Sequence, residues 1–240
     1  MIKYFLIWET FLYMGFMTGD LWALPWSSAT NQMKYIAVIS CLLYMWVRKK
    51  KDDFQWVLQC SLFYAAAADY FLLFTDIFVL GIVYFGTVQF CYWMSLKKKW
   101  DIRWCFFIGF LVCIMILLLG GNNGYWIMKN QHWLLFILAV PYIAFFLWNL
   151  VQVRMFVSKE KSVLWLFIGM LFLLLGDILV GVHYMLRIWL YGMTGETWIM
   201  SIVQTVIRFI GPGMWFFYLP SQVCIVVASE LEKGEVKSLT

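Results

Sequence analysis

The chain has 240 residues, of which 64% are hydrophobic and 13% charged, and its mean hydropathy is +0.82. No water-soluble globular domain of this length tolerates that balance. Composition therefore excludes a soluble enzyme or a nucleic-acid binder and requires an integral, multi-pass membrane protein.

A spanning helix needs about 20 mostly apolar residues. On that ruler eight spans are expected, at 4–24, 33–48, 54–75, 77–96, 102–120, 132–154, 162–188 and 197–229. The first begins as a signal peptide would, with Lys3 before an apolar run, but Glu9 interrupts it and no small-residue cleavage site closes it, so it is read as a membrane helix. The last is too long for one simple crossing. The Gly-Pro-Gly at 211–213 is expected to break or kink it, leaving an interfacial or tilted piece over 197–210 and the span proper after Pro212. The expected fold is an all-α membrane protein, with about eight transmembrane helices around a polar intramembrane cavity. It forms a single domain over 1–240 that ends in a short polar tail, 230–240.

Lysine and arginine accumulate on the cytoplasmic side of membrane proteins. The turns after the second, fourth and sixth spans hold Arg48, Lys49, Lys50 and Lys51, then Lys97, Lys98, Lys99 and Arg103, then Arg154, Lys159 and Lys161. Loops of the other parity hold only Lys129, with Lys34 and Arg187 at helix edges. Both termini are accordingly expected in the cytoplasm, and the location is expected to be a bacterial plasma membrane. The six cysteines, at 41, 60, 91, 105, 113 and 224, lie within apolar runs without metal-ligand spacing, so neither a disulfide nor a metal is expected, nor any cofactor.

Two acidic residues interrupt apolar runs, Asp69 in AAAADYFLLF and Asp177 in LLLGDILVGV. A charge near a bilayer centre costs at least about 2.5 to 3.5 kcal/mol, so such a group faces a cavity, finds a partner or holds a proton. Each lies 15 residues beyond the expected start of an outward-running span, which is about 22 Å along a helix. The two carboxyls are thus expected at one depth. Asp76 is seven residues from Asp69 and on the same face, at the outer mouth, where it either caps the next helix or serves the site.

Other polar groups leave two readings open. His183 and Arg187 share a face near the outer end of the seventh span, and Arg187 either snorkels to headgroups or binds a substrate phosphate. Thr197, Ser201, Gln204, Thr205 and Arg208 make a helical polar stripe that lines a cavity or faces the interface. Gln89 and Gln222 either bind substrate or hold helices together. Glu9 and Asp20 have no assigned role. A retinal protein is excluded, since the last lysines, Lys233 and Lys237, lie in the tail, and there is no Gly-x-Ser-x-Gly elbow, Walker loop or HExxH helix.

Taken in order, ADYFLL, FVLGIVYFGTVQFCY, LLLGDILVG and FYLPSQVCIVVAS resemble the YhhN-like lysoplasmalogenase family of eight-helix membrane proteins. Asp69, Leu72, Gly81, Phe85, Tyr92, Asp177, Tyr218 and Gln222 match that family's pattern over roughly 33–229. Ala68, Gln89 and Gly176 stand where the family has glycine, histidine and serine. The resemblance implies hydrolysis of the vinyl ether bond of a lysoplasmalogen to a fatty aldehyde and glycerophosphocholine or glycerophosphoethanolamine. Asp69 and Asp177 would be the catalytic pair. That chemistry needs one proton donor and one anionic partner, roles that two carboxyls can divide without a metal. Gln89, Tyr92, Tyr218, Gln222, His183 and Asp76 are the further candidates for contact with the lysophospholipid, and Arg187, Arg208 and Lys34 for its phosphate. The competing expectation is a non-catalytic lipid-binding or transport protein whose aspartates carry protons or hold a headgroup. Against transport, no inverted repeat is visible.

Overall fold

The computed structural model describes residues 1–22, 27–47, 53–75, 77–95, 135, 137–157, 160–192 and 198–237. Within them the chain is all helical: α1 (Ile2–Leu21), α2 (Ser27–Trp46), α3 (Asp53–Phe74), α4 (Phe78–Ser95), α5 (Ile137–Phe156), α6 (Lys161–Gly192) and α7 (Trp198–Lys237). The helices from α3 to α7 are long and apolar enough to cross a bilayer. α1 and α2, of 20 residues each, are not among these. Glu9 and Asp20 interrupt α1, and α2 opens on the polar run Ser27 to Gln32. The expected span 102–120, Asp76, Thr197 and all the basic loop residues except Arg154 and Lys161 lie outside the described residues.

The chain divides into two compact units, one of residues 1–37 with 168–224, the other of residues 38–167 with 225–240. In the first, α1 and α2 form a close hairpin. Gly15 and Gly19 are four apart, and a Cβ on either would run into Met33 or Thr30 of α2. Small residues at this spacing let helix backbones approach where lipid gives no hydrophobic drive between helices. In the second unit α3 and α4 pack antiparallel. Phe71 stacks on Tyr84 at 5.5 Å, and a Cβ on Gly81 would lie 2.7 Å from Leu72, so only glycine fits there without displacement.

The expected break at Gly211-Pro212-Gly213 does not occur. α7 runs unbroken for 40 residues with Pro212 and Pro220 inside it. A proline inside a helix removes one amide donor and frees the carbonyl four residues earlier, and a membrane helix tolerates this where a neighbour supplies another donor. For Pro220 the freed carbonyl is that of Phe216, and the Tyr13 hydroxyl of α1 donates to it at 3.3 Å. α7 also continues through Lys237, into the segment expected as a tail.

Candidate functional site

Asp69 sits in α3 after the run Ala65 to Ala68, and only 2% of it is exposed. Ala65, Ala66 and Ala68 are buried around it. Their small side chains let neighbouring helices close over that turn, and the carboxyl is carried inside with them. With Leu72 against Gly81 and Phe71 on Tyr84, Asp69 is level with the Tyr84 turn of α4. Gln89 lies about five residues further along α4, roughly 7.5 Å, and Tyr92 follows one turn on. Both are fully buried.

Asn149 of α5 joins this helix pair. It is fully buried, and its Nδ2 donates to the Gln89 backbone carbonyl at 2.7 Å and to the Gln89 side-chain oxygen at 3.4 Å. Among the described residues, Gln89 Nε2 and Asn149 Oδ1 find no hydrogen-bond partner. One donor and one acceptor are left open, which is the complement of a hydroxyl group or a water molecule. Asn149 is absent from the residues expected at the site. Its signal was present all the same, as a lone amide in the apolar run PYIAFFLWNLV.

Asp177 lies in α6, in the other unit, and is half-buried. Counted from their observed helix starts, Asp53 and Lys161, Asp69 and Asp177 are each 16 residues in, about 24 Å. α6 and α7 run antiparallel. Phe172 packs on Phe217 at 6.2 Å, Gly176 lies beside the Met214 backbone and Leu179 covers Gly213. That register sets Asp177 level with Met214. Two turns beyond Asp177 is His183, half-buried, followed by Arg187, exposed.

Arg187 and Leu190 of α6, with Met200, Gln204 and Ile207 of α7, line a groove of about 360 Å³. Arg208 is one turn from Gln204 on α7 and is exposed, as are Ser201 and Thr205. The groove thus brings together one expected phosphate ligand and one member of the polar stripe.

Lys34 is differently placed from the expected phosphate ligand at a mouth. It is buried, its Nζ lies 2.6 Å from Asp20 Oδ2, and it sits 5.4 Å from the centroid of the Trp215 ring. Its charge is already met inside the protein, and Asp20, without a role in the sequence, is its partner. Gln222 is fully buried and donates from Nε2 to the Ser221 hydroxyl at 3.1 Å, which in turn donates to the Tyr218 carbonyl at 2.6 Å. These bonds tie Gln222 into α7 itself, while its Oε1 finds no hydrogen-bond partner among the described residues. Tyr218 is buried one turn before Gln222, and Glu9 of α1 is 3% exposed.

Among the described residues no group of three His, Cys, Asp or Glu side chains could hold a metal ion. Cys41, Cys60, Cys91 and Cys224 are buried, and among the described residues they form no disulfide. Five helices able to cross a bilayer are consistent with a multi-pass membrane protein. Comparison with protein-family models, with curated proteins and with solved structures finds no match to the chain.

Proposed function

We propose that this protein is a membrane hydrolase of the vinyl ether bond of single-chain alkenyl phospholipids, with Asp69 and Asp177 as its reacting carboxyls. The observation that carries the reading is the burial of Asp69, 2% exposed within the apolar stretch of α3. A carboxyl held there at some energetic cost is poorly explained by packing, which a neutral asparagine or serine would serve more cheaply. The equal offset of Asp177 along α6 supports its role as the second carboxyl, as does the resemblance of the ordered motifs to YhhN-like lysoplasmalogenases.

In the reaction one carboxylic acid gives its proton to the alkene carbon remote from the ether oxygen, leaving an oxocarbenium ion. The other, as carboxylate, stabilises that cation and takes a proton from the water that captures it. The hemiacetal so formed loses its glycerol oxygen as an alcohol, giving the fatty aldehyde and the glycerophospho-headgroup, and the acid is reprotonated. The same reading includes a polar chamber between eight spans, both termini on the cytoplasmic side, and residence in a bacterial plasma membrane.

The test uses purified protein in detergent with alkenyl-lysophospholipid, and aldehyde release is measured for wild type, Asp69→Asn and Asp177→Asn. Release by wild type that both substitutions remove is the expected result. A folded wild type that binds the lipid and releases no aldehyde makes the protein a lipid-binding or transport protein instead.

A further inference from the structure

The α6–α7 groove offers a cation, an amide and an apolar floor in one concave place: Arg187 and Gln204 with Leu190, Met200 and Ile207, around about 360 Å³. A guanidinium with a neighbouring amide donor suits a phosphate oxyanion, and the apolar walls suit the glycerol and first methylenes of a lipid. Depth agrees with this. Arg187 is 26 residues from the α6 start at Lys161, about 39 Å along the helix. A hydrocarbon core is about 30 Å thick, and about 40 to 45 Å with its headgroup regions. A helix entering at one interface thus brings Arg187 to the phosphate level of the opposite leaflet.

Spacing along α6 is compatible with this assignment. Arg187 is ten residues from Asp177, or about 15 Å of helix. In a single-chain alkenyl phospholipid seven bonds separate the phosphorus from the carbon that takes the proton. An extended chain advances about 1.25 Å per bond, roughly 9 Å in all, and a hydrogen-bond length of about 3 Å at each end brings the reach to about 15 Å. We propose that the Arg187–Gln204 groove is the phosphate subsite for a single-chain phospholipid, spaced along α6 so that the ether bond of the lipid falls beside Asp177. The spacing rests on the reading of Asp177 as a reacting carboxyl; the phosphate subsite does not.

The experiment separates the two by using a lipid that cannot be cleaved. Full-length protein in a neutral maltoside detergent is titrated, by its tryptophan fluorescence, with a 1-O-alkyl-glycerophosphocholine and with the matching 1-O-alkylglycerol that lacks the phosphate. Wild type should bind the phosphorylated lipid at least about tenfold more tightly. Arg187→Gln should reduce that preference to within about threefold, and Gln204→Leu should reduce it part of the way. Arg187 is exposed, so its substitution leaves the packing of α6 and α7 intact. With alkenyl substrates, removing the phosphate should raise KM in wild type and leave KM unchanged in Arg187→Gln.

A wild-type preference that persists in Arg187→Gln overturns the subsite. A site that inorganic phosphate fills alone, with no preference between the two lipids, overturns the lipid assignment in favour of a free anion. Loss of aldehyde release with the phosphate preference intact would refute the hydrolase and leave the subsite standing. Aldehyde release with no phosphate preference would do the reverse.

Discussion

The α3–α4 and α6–α7 hairpins each carry one aspartate 16 residues into their first helix, yet they treat it differently. In α3, 61% of the apolar window is buried, against 33% in α6. Asp69 is sealed, while Asp177 is half-buried on a helix whose Leu175, Ile178, Val180 and Val182 are all exposed. Side-chain size is the cause in α3, where an alanine run admits close neighbours. α6 and α7 are instead long, at 32 and 40 residues, and open between them into a groove. The same sequence oddity thus yields a buried carboxyl in one hairpin and a more accessible one in the other.

The sharpest test of that contrast compares asparagine with glutamate. Asp69→Asn and Asp177→Asn should each lower aldehyde release by at least about 100-fold, since a positioned acid or base contributes roughly that much or more. Asp69→Glu should also lose most activity, because a sealed, well-packed site has no room for one more methylene. Asp177→Glu should stay within about tenfold of wild type, since a half-buried side chain can shift. If both glutamates behave alike in the aldehyde assay, the two environments are equivalent and the contrast fails.

Stability measurements extend the comparison to the first unit. Lys34→Met leaves the half-buried Asp20 without its cation, and breaking one side of a buried ion pair costs up to about 3 to 5 kcal/mol. Lys34→Met with Asp20→Leu should recover most of the loss, because the pair itself contributes little beyond a well-packed apolar replacement. Both are read as midpoints of detergent-phase unfolding. A double variant as unstable as the single one would mean that the pair does more than neutralise itself. A smaller effect is expected in α4, where Gly81→Ala drives a methyl into Leu72 and should cost about 1 to 3 kcal/mol. Gly86→Ala, with nothing within 4 Å of the new Cβ, should gain about 0.5 to 1 kcal/mol. Equal melting temperatures for the two alanines would refute the close α3–α4 approach.

Much of this architecture is legible in hydropathy, and its failures have local causes. Apolar runs located α3, α4, α6 and the start of α7 to within one residue of their observed starts, because these segments must be apolar whatever they pack against. α2 begins at Ser27, six residues before its expected start. Thr30, Asn31 and Gln32 look like a loop to a hydropathy ruler, yet nothing in their backbone prevents a helix. Asp69 and Asp177 stood out because a charge in an apolar run is rare. Lys34, expected at a phosphate, instead pairs with Asp20, for the opposite reason. Its partner is 14 residues away on another helix, and no periodicity shows that an ammonium will turn inward toward Asp20. Asn149 is one uncharged residue among many in the sequence, and only its position against Gln89 gives it meaning.

The continuity of α7 leads to a similarly small effect, and to the one that most directly tests why a proline-bearing helix survives here. Without the Pro220 amide, the Phe216 carbonyl depends on Tyr13 of α1. Tyr13 also packs at 6.3 Å on the Phe216 ring and at 5.5 Å on Phe16, so Tyr13→Phe keeps the aromatic contacts and deletes only the hydroxyl. The bond is long, at 3.3 Å, and is not deeply buried, so the loss should be about 0.5 to 1.5 kcal/mol, the net worth of an ordinary hydrogen bond. Pro220→Ala restores an amide donor within the helix, and in that background Tyr13→Phe should cost less than it does in wild type. A double-mutant cycle on unfolding midpoints measures the difference. If Tyr13→Phe costs the same with and without Pro220, the hydroxyl is not substituting for the missing amide, and α7 is continuous for another reason.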